Sequence, residues 1–276
     1  MQLLWRNSTN SPFLSGDSIA QLCDLTVSRK SISSMNYQDL VISRSIFIEG
    51  DLFESFMSQY KDELTAEVLV VGNSDVNFVS WPELPPSVNL FIAQNAGYQL
   101  TDRFRILPIG LENLRLGRLG SPKWYYERES FIFEDKVLVP PMSPTNEIRR
   151  TVLDSPDLND RLFHVFREYL DERKYFDLVG RYRFILALEG NGFENHRVWE
   201  SLYQNSFPVM LKTPWSMNIA SLGLPVLLID SISQISSATL QRHLRENAGF
   251  SAAKCDVLWV KYWESLICPG GASLSR

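Results

Sequence analysis

The sequence predicts an α/β protein built as two consecutive halves, each with a parallel sheet, facing a cleft. Short, almost continuous apolar runs recur along the chain, as expected of strands buried on both faces. These runs alternate with helical segments, and several end on small polar residues, the pattern of parallel strands joined by helical crossovers. Between residues 115 and 136 the alternation breaks. Arg115, Gly117, Arg118, Gly120, Ser121, Pro122 and then Lys123-Trp124-Tyr125-Tyr126 form a basic, aromatic stretch that reads as the connection between the halves. The division expected is residues 1–120, a linker at 121–135, and residues 136–276.

In the first half, a short apolar run at residues 3–6 is stopped by a polar stretch at 7–12. Residues 15–28 read as a helix with Ile19, Leu22, Cys23 and Val27 on one side. Residues 40–42 and 46–48 read as short strands, and Leu52, Phe53 and Phe56 recur at helical spacing within 52–60. Val68–Gly72 is the clearest strand. Further strands are expected at 88–94, before Asn95-Ala96-Gly97, and at 104–109, before Gly110.

In the second half a strand is expected at 137–140, a helix at Glu147–Leu153 after Thr145-Asn146, a strand at 162–166 and a polar helix at 168–179. Residues 181–211 then form a β-α-β unit. Its first strand is 184–188. Gly190 and Gly192 make a turn expected to take positive φ and to approach a ligand closely. Asn195 is a good N-cap, the following helix pairs Val198 with Leu202 and Trp199 with Tyr203, and Phe207–Leu211 returns as a strand. A strand at 225–229 and a helix near 238–247 follow. The last segment, 254–267, carries Val257, Leu258, Trp259, Tyr262, Trp263 and Leu266, enough apolar surface to dock across both halves.

With 276 residues, 45% of them hydrophobic and 21% charged, the composition is that of an ordinary globular protein. A net charge of −5 argues against a non-specific nucleic-acid binder. Cys23, Cys255 and Cys268 have no metal-ligand spacing and leave one thiol unpaired even if two bridged, which suits a reducing compartment. No stretch approaches a membrane span and no basic-then-apolar signal opens the chain, so the expectation is a cytoplasmic protein, soluble or peripheral at a membrane through a partner. Phosphate-loop, nucleophile-elbow, Cys/His-cluster and His-Glu-x-x-His motifs are all missing from the sequence.

Ligands of parallel α/β units sit beyond the carboxyl ends of the strands. That position holds Glu189, Gly190, Asn191, Gly192, Glu194, Asn195, His196 and Arg197. Arg197, in a first helical turn, joins a guanidinium fork to helix-terminal N–H groups, a combination suited to phosphate; its bland alternative is pairing with Glu194 or Glu200. Glu200 could reach ribose hydroxyls, and His196 could donate to a substrate oxygen. Asn146 with Arg149 or Arg150 makes a second site of the same kind after the strand 137–140. In the first half, Asp75 and Asn95 follow strands. Asp75 could take a proton from a hydroxyl nucleophile or simply cap its loop, and Glu49 and Asp51 are weaker candidates for the proton.

Residues 182–203, Tyr-Arg-Phe-Ile-Leu-Ala-Leu-Glu-Gly-Asn-Gly-Phe-Glu-Asn-His-Arg-Val-Trp-Glu-Ser-Leu-Tyr, followed by Phe-Pro-Val-Met-Leu, resemble the donor-binding segment of exostosin-like glycosyltransferases. They are similar, more loosely, to the corresponding segment of α1,3-fucosyltransferases. The match spans about residues 181–230, with a weaker one at 143–149; the first half matches poorly. Glu194-Asn195 stands where related sequences usually have Asp-Thr. The resemblance implies two Rossmann-like domains facing a cleft (GT-B type), a UDP- or GDP-linked sugar donor, a glycan or lipid-linked saccharide acceptor, and no catalytic metal or other cofactor. It also implies that Glu189, Gly190, Gly192, Arg197 and Glu200 line the donor. On residues and resemblance together, Asp75 and Arg197 are the expected catalytic pair. Asn146, Arg149, Glu189, Gly190, Asn191, Gly192, Asn195, His196, Arg197 and Glu200 are the expected donor site. The alternative is a non-catalytic nucleotide-sugar or carbohydrate-binding module of a polysaccharide-assembly system.

Overall fold

The computed structural model describes residues 10–116, 121–126 and 133–268. The run at 3–6 and Gly117, Arg118 and Gly120 of the connecting stretch lie outside the described residues. The first sheet contains β1 (Leu25–Val27), β2 (Ser45–Glu49), β3 (Val68–Gly72), β4 (Leu90–Ala93) and β5 (Phe104–Ile106), all parallel and in sequential order. The second contains β6 (Glu134–Val139), β7 (Phe163–Val165), β8 (Tyr182–Leu186), β9 (Phe207–Leu211) and β10 (Leu227–Ile229). It is also parallel, in the order β10-β9-β8-β6-β7. Counted from its own first strand this order is 5-4-3-1-2, so the chain reverses direction between β6 and β8. A reversal of that kind opens a crevice at the strand ends.

The α-helices among the described residues are α1 (Gly16–Ala20), α2 (Tyr37–Ile42), α3 (Phe53–Tyr60), α4 (Lys123–Tyr126), α5 (Glu147–Leu153), α6 (Glu172–Gly180), α7 (His196–Tyr203), α8 (Pro214–Ser221), α9 (Ser237–Glu246) and α10 (Val260–Ile267). Alternating strand residues feed opposite layers. In β3, Val68 and Val70 pack with Val260, Trp263 and Ile267 of α10, whereas Leu69 and Val71 join a core that also takes in Trp199, Leu202 and Tyr203 of α7. The C-terminal helix therefore covers a face of the first sheet, and α7 belongs to a core shared by both halves.

Two expected elements are corrected and one is added. Residues 15–28 are not one helix: α1 ends at Ala20, and Leu25–Val27, with β-branched Thr26 and Val27, pairs with β2 as the sheet edge. Residues 40–42 are helical. Asn36 caps Gln38 N–H at 3.0 Å, and the helix buries Leu40 while leaving Ile42 76% exposed, a one-sided pattern hidden by three adjacent apolar residues. Residues 214–221, which the sequence left unassigned, form α8 behind a Thr213–Ser216 capping box with Pro214 in its first turn.

The connecting stretch is packed rather than free. Phe13 is ringed by Tyr125, Tyr126, Tyr203 and Trp259 at centroid distances of 5.3, 5.4, 5.0 and 5.2 Å. The Tyr203 hydroxyl accepts from Leu14 N–H at 3.0 Å and donates to the Leu258 carbonyl, tying the segments around residues 14 and 258 to α7. Trp263, 1% exposed, donates to the Val257 carbonyl at 3.0 Å. Trp263→Ala is expected to cost about 3–5 kcal/mol, read as a lower denaturant midpoint with little change in slope.

Candidate functional site

A cavity of about 1040 Å³ opens at the strand-end crevice. Its lining comes from the β6–α5 connection (Pro141, Met142, Ser143, Thr145), from Arg149, from the segment entering α6, and from the β8–α7 connection and first turns of α7. The first half adds Asp75, Ile109 and Glu112. Among the described residues, no group of three or more His, Cys, Asp or Glu side chains is arranged to hold a metal, and no helix is long and apolar enough to cross a membrane. The three cysteines are free thiols.

Asn146 caps α5 by accepting from Arg149 N–H at 2.8 Å, while its amide donates to the carbonyls of Glu189 and Gly190 at 3.1 and 2.6 Å. It fastens the β6 connection to the β8 connection and does not itself line the cavity. Arg149 is 7% exposed and gives its guanidinium hydrogens to the carbonyls of Glu189 (2.8 Å), Ser143 (3.2 Å) and Leu188 (3.4 Å). Burial and the neighbouring Arg197 lower its pKa to about 10. Arg150 turns outward to the Pro144 carbonyl.

Arg197 donates through one terminal nitrogen to the Pro141 carbonyl at 2.7 Å, and its Nε is buried with no partner. Neither Arg149 nor Arg197 forms a salt bridge among the described residues. The pairing of Arg197 with Glu194 or Glu200 that its spacing allows is therefore not made. A buried positive charge without a close anion is costly, and Arg149 has the half-buried Arg197 as its neighbour. These guanidiniums suit an anionic ligand.

Several predicted residues serve differently from expectation. Neither Gly190 nor Gly192 has positive φ; the described glycines that do are Gly110 and Gly223. Gly192 is buried against the first half, where an added Cβ would stand 2.7 Å from Asn95 Oδ1, so the glycine permits contact between the halves rather than contact with a ligand. Glu189 offers its carbonyl to Arg149, but its side chain faces Thr213, outside the cavity lining, and burial raises its pKa. Asn191 is exposed and reaches Asp75 Oδ2 at 3.3 Å across the cleft. Asn195 caps α7, accepting from Arg197 N–H at 3.0 Å and donating to the Leu188 carbonyl at 2.6 Å. Asp75 is exposed on the cavity wall. Glu49 and Asp51 are bound to the Arg29 backbone and side chain, away from the cavity.

Two buried carboxyls shape the interior. Glu200, 4% exposed, accepts from the Tyr175 hydroxyl at 3.1 Å; desolvation raises its pKa to about 7 against the opposing pull of Arg197. One of its oxygens is thus already engaged, which limits the ribose contact expected of it. Glu194, also 4% exposed, accepts at Oε1 from Ile109 N–H and Trp199 Nε1–H, both at 2.8 Å, and its Oε2 is buried without a partner. Desolvation takes its pKa to about 8. Sequence reasoning assigned Glu194 no ligand role and missed Tyr175. Their partners lie in other elements, and no short-range spacing marks them.

His196 contradicts the donor role expected of it. Its Nδ1 lies 2.8 Å from the Gly110 carbonyl, which only accepts, so Nδ1 carries the proton. Burial lowers the pKa, with Arg197 adding to the effect and Asp75 opposing it. The ring is neutral at physiological pH and Nε2 is an acceptor. Gly110 itself has φ 67°, and a Cβ there would lie 2.2 Å from the Leu14 carbonyl oxygen.

Compared with known proteins, the chain matches no protein-family model and no curated protein.

Because Glu194 is raised in the folded state, its contribution to stability is full below its unfolded value near 4.5 and is lost as pH rises through about 8. Glu194→Gln keeps the Oε1 acceptor and cannot ionise. Its melting temperature is expected to fall less steeply than that of the wild type between about pH 4.5 and about pH 8. Thermal scans across that range check it, and an equal slope in the two proteins would refute the assignment.

Proposed function

We propose that the chain is a glycosyltransferase that moves a sugar from a UDP- or GDP-linked donor to a hydroxyl of a glycan or lipid-linked saccharide. The single observation that carries this reading is the pair Arg149 and Arg197, adjacent, without salt bridges among the described residues, at the crevice between β6 and β8. A diphosphate supplies the missing negative charge at the position where open α/β sheets take nucleotides. As the leaving group departs, the charge that builds on it meets a guanidinium fork and the N-terminus of α7, an eight-residue helix capped by Asn195. Glu194 and Glu200, holding protons to about pH 8 and about pH 7, cancel less of that positive field than ionised carboxylates would.

The finer architecture belongs to the same proposal: two Rossmann-like domains facing a cleft, of GT-B type, with acceptor on the first half and donor on the second. It is supported by a cavity whose lining comes from both sheets and by the return of α10 to the first sheet. Tyr169, 95% exposed on the cavity lining, offers an aromatic face to a base or sugar ring.

Arg197→Ala is expected to lower transfer by about 100- to 1,000-fold while leaving the melting temperature within a few degrees, since the guanidinium is half-buried and its close hydrogen bond runs to the Pro141 carbonyl. Nucleotide release from a panel of UDP- and GDP-sugars, with saccharide acceptors present, measures it. An equally active Arg197→Ala would refute the site. Nucleotide binding with no turnover of any donor would favour the non-catalytic module.

A further inference from the structure

We propose that His196 is the base that removes the proton from the acceptor hydroxyl, and that Asp75 is the carboxylate that steadies the resulting imidazolium. This rests on the transferase reading above. Three geometric facts carry it. The Gly110 carbonyl fixes the tautomer with hydrogen on Nδ1, which leaves the Nε2 lone pair for the cavity that His196 lines. His196 and Arg197 are consecutive on α7, so their side chains leave the helix about 100° apart. One turns to Gly110 of the first half and the other to Pro141 of the second, so base and anion site flank the space where a sugar carbon would sit.

Asp75 stands on the same wall and its charge favours the protonated ring. It is also exposed and held by Asn191 at 3.3 Å, a poorer position for the base than for a counter-charge. The other charged groups around the imidazole's side of the cavity are Arg197, which opposes protonation, and Glu112 and Glu194, which line the same space. Burial keeps the ring neutral at physiological pH, the form a base requires.

In the step, the acceptor O–H bond breaks and its proton goes to His196 Nε2. The oxygen forms a bond to the anomeric carbon from the face opposite the diphosphate. The bond from that carbon to the phosphate oxygen breaks, and its electron pair leaves with the nucleoside diphosphate beside Arg197 and Arg149. The imidazolium then returns the proton to solvent, and the anomeric configuration is inverted.

His196→Asn keeps a donor for the Gly110 carbonyl and has no basic nitrogen. With UDP- and GDP-hexoses as donors and alkyl glycosides as acceptors, it is expected to lose about 100- to 10,000-fold in kcat with UDP and GDP affinity retained. The acidic limb of the wild-type kcat/KM profile should vanish in His196→Asn, and in Asp75→Asn it should move to lower pH, because a charge favouring the imidazolium is gone. Wild-type turnover and an unchanged limb in His196→Asn, or a product of retained configuration, would overturn the assignment while leaving the transferase reading intact. Failure of the wild type to turn over any donor would overturn both. Nitrogen NMR of the wild-type imidazole gives a check without turnover: Nε2 unprotonated at neutral pH is the expected result, and a protonated Nε2 overturns the proposal.

Discussion

The structure depends on a seam of hydrogen bonds that closes the connection before α7 against the strand ends of the first sheet. Glu194 N–H donates to Asn95, the Glu194 carboxyl takes the Ile109 N–H, Phe193 N–H reaches Asn77, and His196 donates to Gly110. Burying polar groups is costly unless they are hydrogen-bonded, and these N–H groups of each half find their acceptors on the other. A small slip between the halves would break several of these bonds together. The seam therefore sets the direction of the first turn of α7, and with it the positions of His196, Arg197 and Glu200.

The charges gathered there would not coexist stably on a water-exposed surface in their present forms. Among the described residues Arg149 and Arg197 form no salt bridge, and they sit beside carboxyls that burial has driven toward neutrality, so the positive charge of the crevice is only partly offset, by Glu200. Strongly shifted groups converging on one crevice are what makes it the candidate site. The fold supports that arrangement elsewhere, through the aromatic ring around Phe13 and the apolar layers under α10.

What was legible in the sequence was local. Val68–Gly72, Glu147–Leu153 and Phe207–Leu211 emerge with the limits their apolar runs and caps define, because burial on both faces and an N-cap leave marks within a few residues. Asn146 and Asn195 act as the caps their positions imply. Arg149 and Arg197 converge because two strand ends adjacent in space carry them. Less was readable wherever the partner is distant. The packing of Gly192 on Asn95, the lodging of Glu194 between Ile109 and Trp199, and the tautomer of His196 all depend on contacts between halves. The helix at Tyr37–Ile42 was hidden for a different reason: Leu40, Val41 and Ile42 look alike in a pattern of apolar residues, and only the sheet beneath distinguishes the buried one.

Gly110 gives this dependence an evolutionary edge. Its left-handed backbone leaves no room for a Cβ against Leu14, and its carbonyl decides which nitrogen of a ring 86 positions away carries hydrogen. Replacement there would disturb the chain entry at Leu14 and the imidazole in a single event. Positions 110 and 196 are thus not free to drift separately: a lineage that altered the first would inherit a different histidine at the second without changing its codon.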